Sequence, residues 1–424
     1  MLTQCYGLSL AQGQNTDQIF DSGHIIRVRM STLLKEVFNS LSITQMGAAI
    51  FHTWSKFDQA TFFALATHDL SALEMKARSN QIVSALTLTL PDDFTHAAHI
   101  LVQSLAPVNA IDKPSSGWTN NTAAERGIGN WLIMPSADYI ALHGNTPEHF
   151  DLSMAALHAM TKRFSAEFAI RKFIITQPTK TFNILQQWTR DPDKHVRRLV
   201  SEGSRPRLPW GIRLQGLVLD PSPTLALLES LKNDPEDYVR LSVANHLNDI
   251  AKDHPALVNN IATDWLNEVA MGAESANAEC QLLHKQRLKL VKHACRTLIK
   301  NGNQDTLALF GYSAVKIDID FNLASGVIKM GSSAKLQCQL HNPTDTEQLL
   351  LIDYIVHHQK SNGSTRPKVF KWKTLKIKPH CTVKISKQHS FKPITTRKYY
   401  PGEHRFTLQI NGKATAHAST TLVP

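Results

Sequence analysis

The chain is predicted to fold as an all-α solenoid of helical repeats followed by an all-β sandwich, and three observations carry that fold class. The pattern Asp-Pro-x-x-x-Val-Arg occurs at Asp191–Arg197 and again 43 residues on, at Asp234–Arg240. Apolar side chains recur every three or four residues up to about Tyr312 and every second residue beyond it. Charge divides at the same point. Residues 311–424 hold 17 Lys and Arg against 6 Asp and Glu, so they carry the whole net charge of +11.

A chain of 424 residues exceeds one hydrophobic core, and the changes near Tyr312 predict domains at 1–312 and 313–424. In the first, Ser31 to Asn39, Phe57 to Thr67, Ser71 to Thr87 and Pro91 to Ser104 each show helical spacing. Ser71-Ala-Leu-Glu74 has the form of a capping box. Asn109 to Asn130, rich in Pro, Ser, Asn and Gly, is predicted as a loop that divides helical subunits or covers a groove, with long helices resuming from Glu148. In each repeated heptapeptide Asp is expected to cap a helix, Pro to take its first position and Val to begin the buried stripe. A period near 43 with this composition is the mark of HEAT repeats, helix pairs that stack into a solenoid with a concave binding face. Leu288, Val291, Cys295 and Leu298, between His284 and Asn301, extend the series.

Beyond Tyr312, Val315–Phe321, Ala334–Leu340 and Thr374–Lys378 alternate apolar and polar residues. Further strands are expected at Leu349–Val356, Val369–Trp372, Thr382–Phe391, His404–Ile410 and Ala414–Leu422. Asn411-Gly412 is a tight-hairpin signal. Tyr400-Pro-Gly-Glu-His-Arg-Phe406 suits the turn entering a penultimate strand. About seven short strands in some 110 residues predict an immunoglobulin-like sandwich. Its lysines, Lys371 and Lys373 above all, alternate onto exposed faces near Trp372; a solvated sheet surface explains any one of them better, while the domain as a whole suits a phosphate backbone.

No run approaches the ~18 apolar residues of a membrane span, and the first residues lack the basic start and apolar stretch of a signal peptide. Five scattered cysteines without a Cys-x-x-Cys pair imply reduced thiols, a cytoplasmic setting and neither zinc nor disulfides. Phosphate-binding loops, the dinucleotide fingerprint, His-Glu-x-x-His and Gly-x-Ser-x-Gly are all missing from the sequence. Asp92, His96 and His99 are the nearest approach to a metal site, and nothing wider supports one, so no cofactor is expected.

The densest chemistry lies in His195-Val-Arg-Arg-Leu-Val-Ser-Glu-Gly-Ser-Arg-Pro-Arg-Leu-Pro-Trp210. Val196, Leu199 and Val200 form an apolar stripe, with Arg198 and Glu202 a turn apart on the opposite face. Gly203 is expected to end the helix, and the prolines to keep Arg205, Arg207 and Trp210 on a stiff extended loop. Arg198 and Glu202 read either as a surface pair worth about 0.3–0.5 kcal/mol or as part of a polyanion site. Glu167, with Arg163 and Arg171 four residues either way, reads as a helix salt bridge or a functional acid. Asp249, at the edge of the stripe Val239, Val243, Leu247 and Ile250, reads as a hydrogen-bonded flank residue or a shielded acid in need of a partner.

Arg163-Phe-Ser-Ala-Glu-Phe-Ala-Ile-Arg-Lys-Phe173, the His195–Trp210 string and the second Asp-Pro-x-x-x-Val-Arg resemble the bacterial AlkC family over roughly residues 60–300. The resemblance implies an alkylpurine DNA glycosylase of HEAT-like repeats, in some members with an immunoglobulin-like C-terminal domain. It implies excision of N3-methyladenine and N3-methylcytosine from double-stranded DNA by a monomer. Glu167, Glu202 and Asp249 are then the expected catalytic acids, with Arg198, Arg205, Arg207 and Trp210 at the DNA. A non-catalytic HEAT scaffold binding nucleic acid is the competing reading.

Overall fold

The computed structural model describes residues 14–21, 24–31, 34–108, 127–274, 277–394 and 397–424. The chain divides into two compact units, Met1–Asp253 and His254–Pro424.

The first unit opens with an antiparallel hairpin, β1 (Gln14–Asp21) and β2 (His24–Ser31), and not with helix. Ser31 therefore ends a strand, and among the described residues only Leu34–Val37, as a 3-10 turn, is helical before Asn39. Asn39 then caps the next helix. The helices are α1 (Ser40–Thr53), α2 (Gln59–Thr67), α3 (Met75–Thr89), α4 (Phe94–Gln103), α5 (Ile133–His143), α6 (Phe150–Thr161), α7 (Ile170–Thr176), α8 (Pro178–Trp188), α9 (Lys194–Gly203), α10 (Gln215–Leu219), α11 (Ser222–Leu231) and α12 (Asp237–Ile250). No capping box forms at Ser71–Glu74, because Leu70–Ala72 is its own 3-10 turn and Glu74 makes no side-chain cap bond to α3, its carboxylate accepting from Lys35 instead. Among the described residues, α-helix resumes at Ile133, ahead of the expected Glu148. The predicted loop 109–130 lies almost wholly outside the described residues.

The repeat is real, but its aspartate acts one step before the helix. Asp191 Oδ1 accepts from the Asp193 amide at 2.8 Å and Asp234 Oδ1 from the Glu236 amide at 2.9 Å. Each closes a turn around the proline, while Asp193 caps α9 and Glu236 precedes α12 with no side-chain cap. The closing arginines curl back: Arg197 Nη1 donates to the carbonyls of Asp191 and Pro192, and Arg240 Nη1 to those of Asp234 and Pro235. Arg197 also grips Asp234 with Nε and Nη2, at 2.5 and 3.0 Å, tying the end of one motif to the start of the next. In the two layers, α8 packs on α11 and α9 on α12. That stacking sets α9 beside its own counterpart, and the candidate site lies there.

The second unit holds α13 (Pro255–Asn267), α14 (Ala278–Ala294), α15 (Arg296–Lys300), α16 (Gln304–Leu309) and a sandwich. Its strands are β3 (Asp318–Leu323), β4 (Val327–Lys329), β5 (Ser333–His341), β6 (Gln348–Gln359), β7 (Thr365–Ile377), β8 (Thr382–Ser390), β9 (Gly402–Ile410) and β10 (Lys413–Val423). One sheet runs β4-β10-β9-β6-β7 and the other β3-β5-β8. β5 buries every second residue, as alternation predicts. β6 holds an unbroken apolar run at 349–352 because both faces are covered there: Leu350 and Ile352, like Tyr354 beyond them, face the sandwich core, while Leu351 packs on Leu307 and Tyr312. The two strands expected at Val369–Trp372 and Thr374–Lys378 are one, β7, with a register shift opposite Ile352 and Asp353. That bulge buries Trp372 between exposed Lys371 and Lys373. Short β4 escaped the pattern. Asn411 and Gly412, at φ 44° and 79°, make the hairpin turn between β9 and β10. A helical region followed by an immunoglobulin-like sandwich is thus the fold.

Candidate active site

The apolar stripe of α9 (Val196, Leu199, Val200) is fully buried. The opposite face is buried too. Arg198 and Glu202 are 8% and 4% exposed, so the surface-pair reading fails. Arg198 Nη1 donates to Glu167 Oε2 at 2.7 Å, its Nη2 lies 3.5 Å from Glu202 Oε1, and its guanidinium sits 5.0 Å over the Tyr238 ring. Arg205 Nη1 reaches Glu202 Oε1 at 2.7 Å, and its Nε reaches Asp249 Oδ2 at 2.9 Å. Lys252 Nζ closes the chain on Asp249 Oδ1 at 2.8 Å. Three carboxylates and three cations therefore alternate in one chain: Glu167, Arg198, Glu202, Arg205, Asp249, Lys252.

Burial opposes ionisation of Glu202, yet Arg198, Arg205 and a 2.6 Å bond from Ser242 Oγ hold its carboxyl below the ordinary value. Ser242 in turn receives the Ser201 hydroxyl at 2.6 Å. His246 contributes no charge. Burial pushes it down to about 4, and its Nδ1–H donates to the Ser201 carbonyl. Burial works against charge on Arg205 also, but Glu202 and Asp249 raise it overall.

Glu167 makes no ion pair with Arg163 or Arg171. It sits in the turn between α6 and α7, where it accepts from Ser165 Oγ as well as Arg198. Arg163 serves the carbonyls of Ala106 and Ala159. Arg171 is fully buried and clasps the carbonyls of Gly203, Arg205 and Ile212. Burial, then the nearby Arg205 charge, bring it down to about 10, still protonated at neutral pH.

The loop that Arg171 gathers is not extended, contrary to the proline argument. It folds through turns, with Gly211 N bonded to Leu208 O and Leu214 N to Pro206 O. The prolines bar helix, and the buried guanidinium supplies acceptor-hungry donors that bend the chain around it. Trp210 adopts φ 64°, a left-handed conformation costing roughly 1–2 kcal/mol for a non-glycine residue. Lys76 bonds its carbonyl, and the indole remains 44% exposed. Arg207 leaves the chain of charges and pairs in bidentate fashion with Asp253, at 2.7 and 2.8 Å. Helix α9 runs through Gly203, where a Cβ would stand 2.6 Å from Ile170 Cγ2; close approach, not helix termination, requires this glycine.

Glu167, Arg198, Glu202, Arg205 and Asp249, each a candidate from the sequence, converge. Ser242, Tyr238, His246 and Lys252 went unnamed. Only Lys252, three residues past Asp249 at a helix end, left a local signal. Lys371 and Lys373 are exposed on β7 in the second unit. Asp92, His96 and His99 do not converge: Asp92 lines a cavity with Tyr139 and His143, while the His96 ring packs edge-on to Trp54. Among the described residues no group of three or more His, Cys, Asp or Glu could hold a metal ion, and no helix is long and apolar enough to cross a membrane.

Residues 318–424 match the family described as "Uncharacterised protein YhaZ, C-terminal Ig-like domain". The uncharacterized protein YhaZ of Bacillus subtilis (strain 168) is 34% identical over 384 residues, covering 90% of this chain and 96% of that protein. A solved structure of Pseudomonas fluorescens alkylpurine DNA glycosylase AlkC, bound to DNA containing an abasic site analog, superposes with a TM-score of 0.78 at 31% identity. That match covers 93% of this chain and 100% of the other. On this extent of likeness, in sequence and in fold, the chain belongs to the AlkC family.

Proposed function

We propose that this protein is a monofunctional DNA glycosylase that hydrolyses the N-glycosidic bond of cationic alkylated bases in double-stranded DNA. N3-methyladenine is its first substrate and N3-methylcytosine a second. It works as a monomer on nucleoid DNA in the cytoplasm, without metal or cofactor. The single observation carrying this reading is the burial of three carboxylates, Glu167, Glu202 and Asp249, in one chain of ion pairs. Helix packing has no use for them, since apolar residues of similar volume are often neutral or better for stability. Likeness to a glycosylase solved on DNA supports the same reading.

The chemistry asks for such an array. An N3-methylated adenine is cationic, so its bond to C1′ breaks with the electron pair leaving on the base, which departs neutral. No proton need be supplied. Positive charge passes to C1′ and O4′ of the deoxyribose, and fixed carboxylates stabilise it as donors stabilise an oxyanion, a contribution of about 2.7–4 kcal/mol for one group. Water, oriented by Asp249 or Glu202, then adds to C1′ and releases its proton to solvent. Arg198 and Arg205 keep Glu202 ionised and, with Arg207 and Trp210, contact the DNA around the lesion. Acting on the sugar does not require the base to be enclosed, so neutral lesions such as uracil are poor substrates. We assign residues 1–312 to catalysis and the basic sandwich, 313–424, to the duplex through Lys371 and Lys373.

Purified protein should release methylated base from methylated duplex and leave the abasic strand uncut. Salt-sensitive binding with no release would instead make the chain a non-catalytic HEAT-repeat scaffold.

A further inference from the structure

The three cations of the chain differ in one respect. The side chains of Arg198 and Arg205 are 9% and 8% exposed, that of Lys252 40%. Arg205 serves Glu202 and Asp249 together, so moving it would strand two buried acids. Lys252 serves Asp249 alone, from the turn just past α12. Asp249 is 1% exposed and has both oxygens engaged, Oδ2 by Arg205 and Oδ1 by Lys252.

With that ammonium 2.8 Å away, Asp249 presents a neutral pair to any sugar approaching Oδ1. A cation there also opposes the charge that glycosidic cleavage builds. Resting on the glycosylase reading above, we propose that Lys252 is a DNA-sensing positioning residue. It caps Asp249 in the free protein and transfers its ammonium to a backbone phosphate beside the lesion, uncovering Asp249 Oδ1 to face the deoxyribose. The full carboxylate field then exists only when DNA is bound. A flexible ammonium suits this exchange better than a guanidinium locked between two acids.

Lys252→Met, Lys252→Arg and Asp249→Asn test it. Affinity is measured for a duplex carrying an abasic-site analogue over a range of salt, and single-turnover base release for methylated duplex at saturating protein. Loss of one phosphate contact makes the slope of log affinity against log salt shallower by about 0.9, so from ~50 to ~200 mM salt the wild type loses roughly 3.5-fold more affinity than Lys252→Met. Lys252→Arg restores the slope. At saturation Lys252→Met releases base at least as fast as wild type, whereas Asp249→Asn is slow. An unchanged slope in Lys252→Met overturns the proposal. A saturating rate that drops toward that of Asp249→Asn also overturns it, by making Lys252 a simple buttress of the acid. If wild-type protein releases no base, the glycosylase reading fails, while the slopes still report whether Lys252 meets phosphate.

Discussion

Glu202→Gln removes one charge from the middle of the chain while keeping the shape of the side chain. Two consequences can be separated. Arg198 and Arg205 each lose a partner, but Glu167 still holds the first and Asp249 the second. Stripping a buried pair of one member costs about 3–5 kcal/mol, and these remaining partners place the variant at the low end, near 3 kcal/mol. For a unit of this size that lowers Tm by roughly 6–12 °C. The chemical step loses a fixed anion near the sugar, about 2.7–4 kcal/mol, or 10²–10³-fold in rate. The assay is single-turnover release of methylated base at saturating protein, well below the variant's melting transition, with affinity for an abasic-site duplex measured alongside. Near-wild-type affinity with a 10²–10³-fold slower release is expected. A rate within threefold of wild type would refute the assignment of Glu202. Because Glu202 is held below its ordinary value, its share of folded stability is complete at neutral pH. That share is lost only as pH falls through the lowered value.

Ser242→Ala deletes the 2.6 Å bond to Glu202 Oε2, so the acid limb of the rate–pH profile should move upward and stability fall by about 1.5–3 kcal/mol; an unmoved limb would separate Ser242 from the acid. Gly203→Ala forces a Cβ against Cγ2 of fully buried Ile170 and should cost about 1–3 kcal/mol, read by urea unfolding; an unchanged midpoint would show that the close approach is not what requires the glycine. In the sandwich, burial depresses His389 to about 4 and His358 to about 3, with nearby Arg397 adding to both. A histidine lowered on folding takes its proton in the unfolded chain first. Stability therefore declines once pH drops below about 6.5, by about 2 kcal/mol per histidine between pH 7 and 5. Equal urea midpoints for the sandwich transition at those two values would contradict their burial.

Much of the site was legible residue by residue and almost none of it as geometry. Arg198 and Glu202 sit opposite a good apolar stripe, so periodicity assigns them to solvent; α9 is in fact covered on both sides, with α12 against it. Glu167 has arginines at both four-residue positions, yet the segment after α6 is a turn, and those positions share a face only in continuous helix. The proline-rich string predicted an extended loop because nothing nearby in sequence announces that Arg171 will draw together the carbonyls of Gly203, Arg205 and Ile212. β6 shows the same effect in the sandwich: its unbroken apolar run has meaning only once α16 is known to cover its outer face.

Local rules belong to the sequence alone. Turn chemistry at Asn411-Gly412, the switch of period near Tyr312 and the spacing of the two Asp-Pro motifs depend on a few neighbouring residues, so they declared a repeat solenoid and a sandwich before any coordinates. Partner choice does not work this way. Glu167 meets Arg198 across 31 positions, Ser242 meets Glu202 across 40 and Arg205 meets Asp249 across 44, close to one repeat or less than one. Such contacts exist because successive helix pairs stack in a particular register. That register is settled by side-chain packing between whole helices, and it alone decided that three acids scattered over 83 residues would share one buried row of charge.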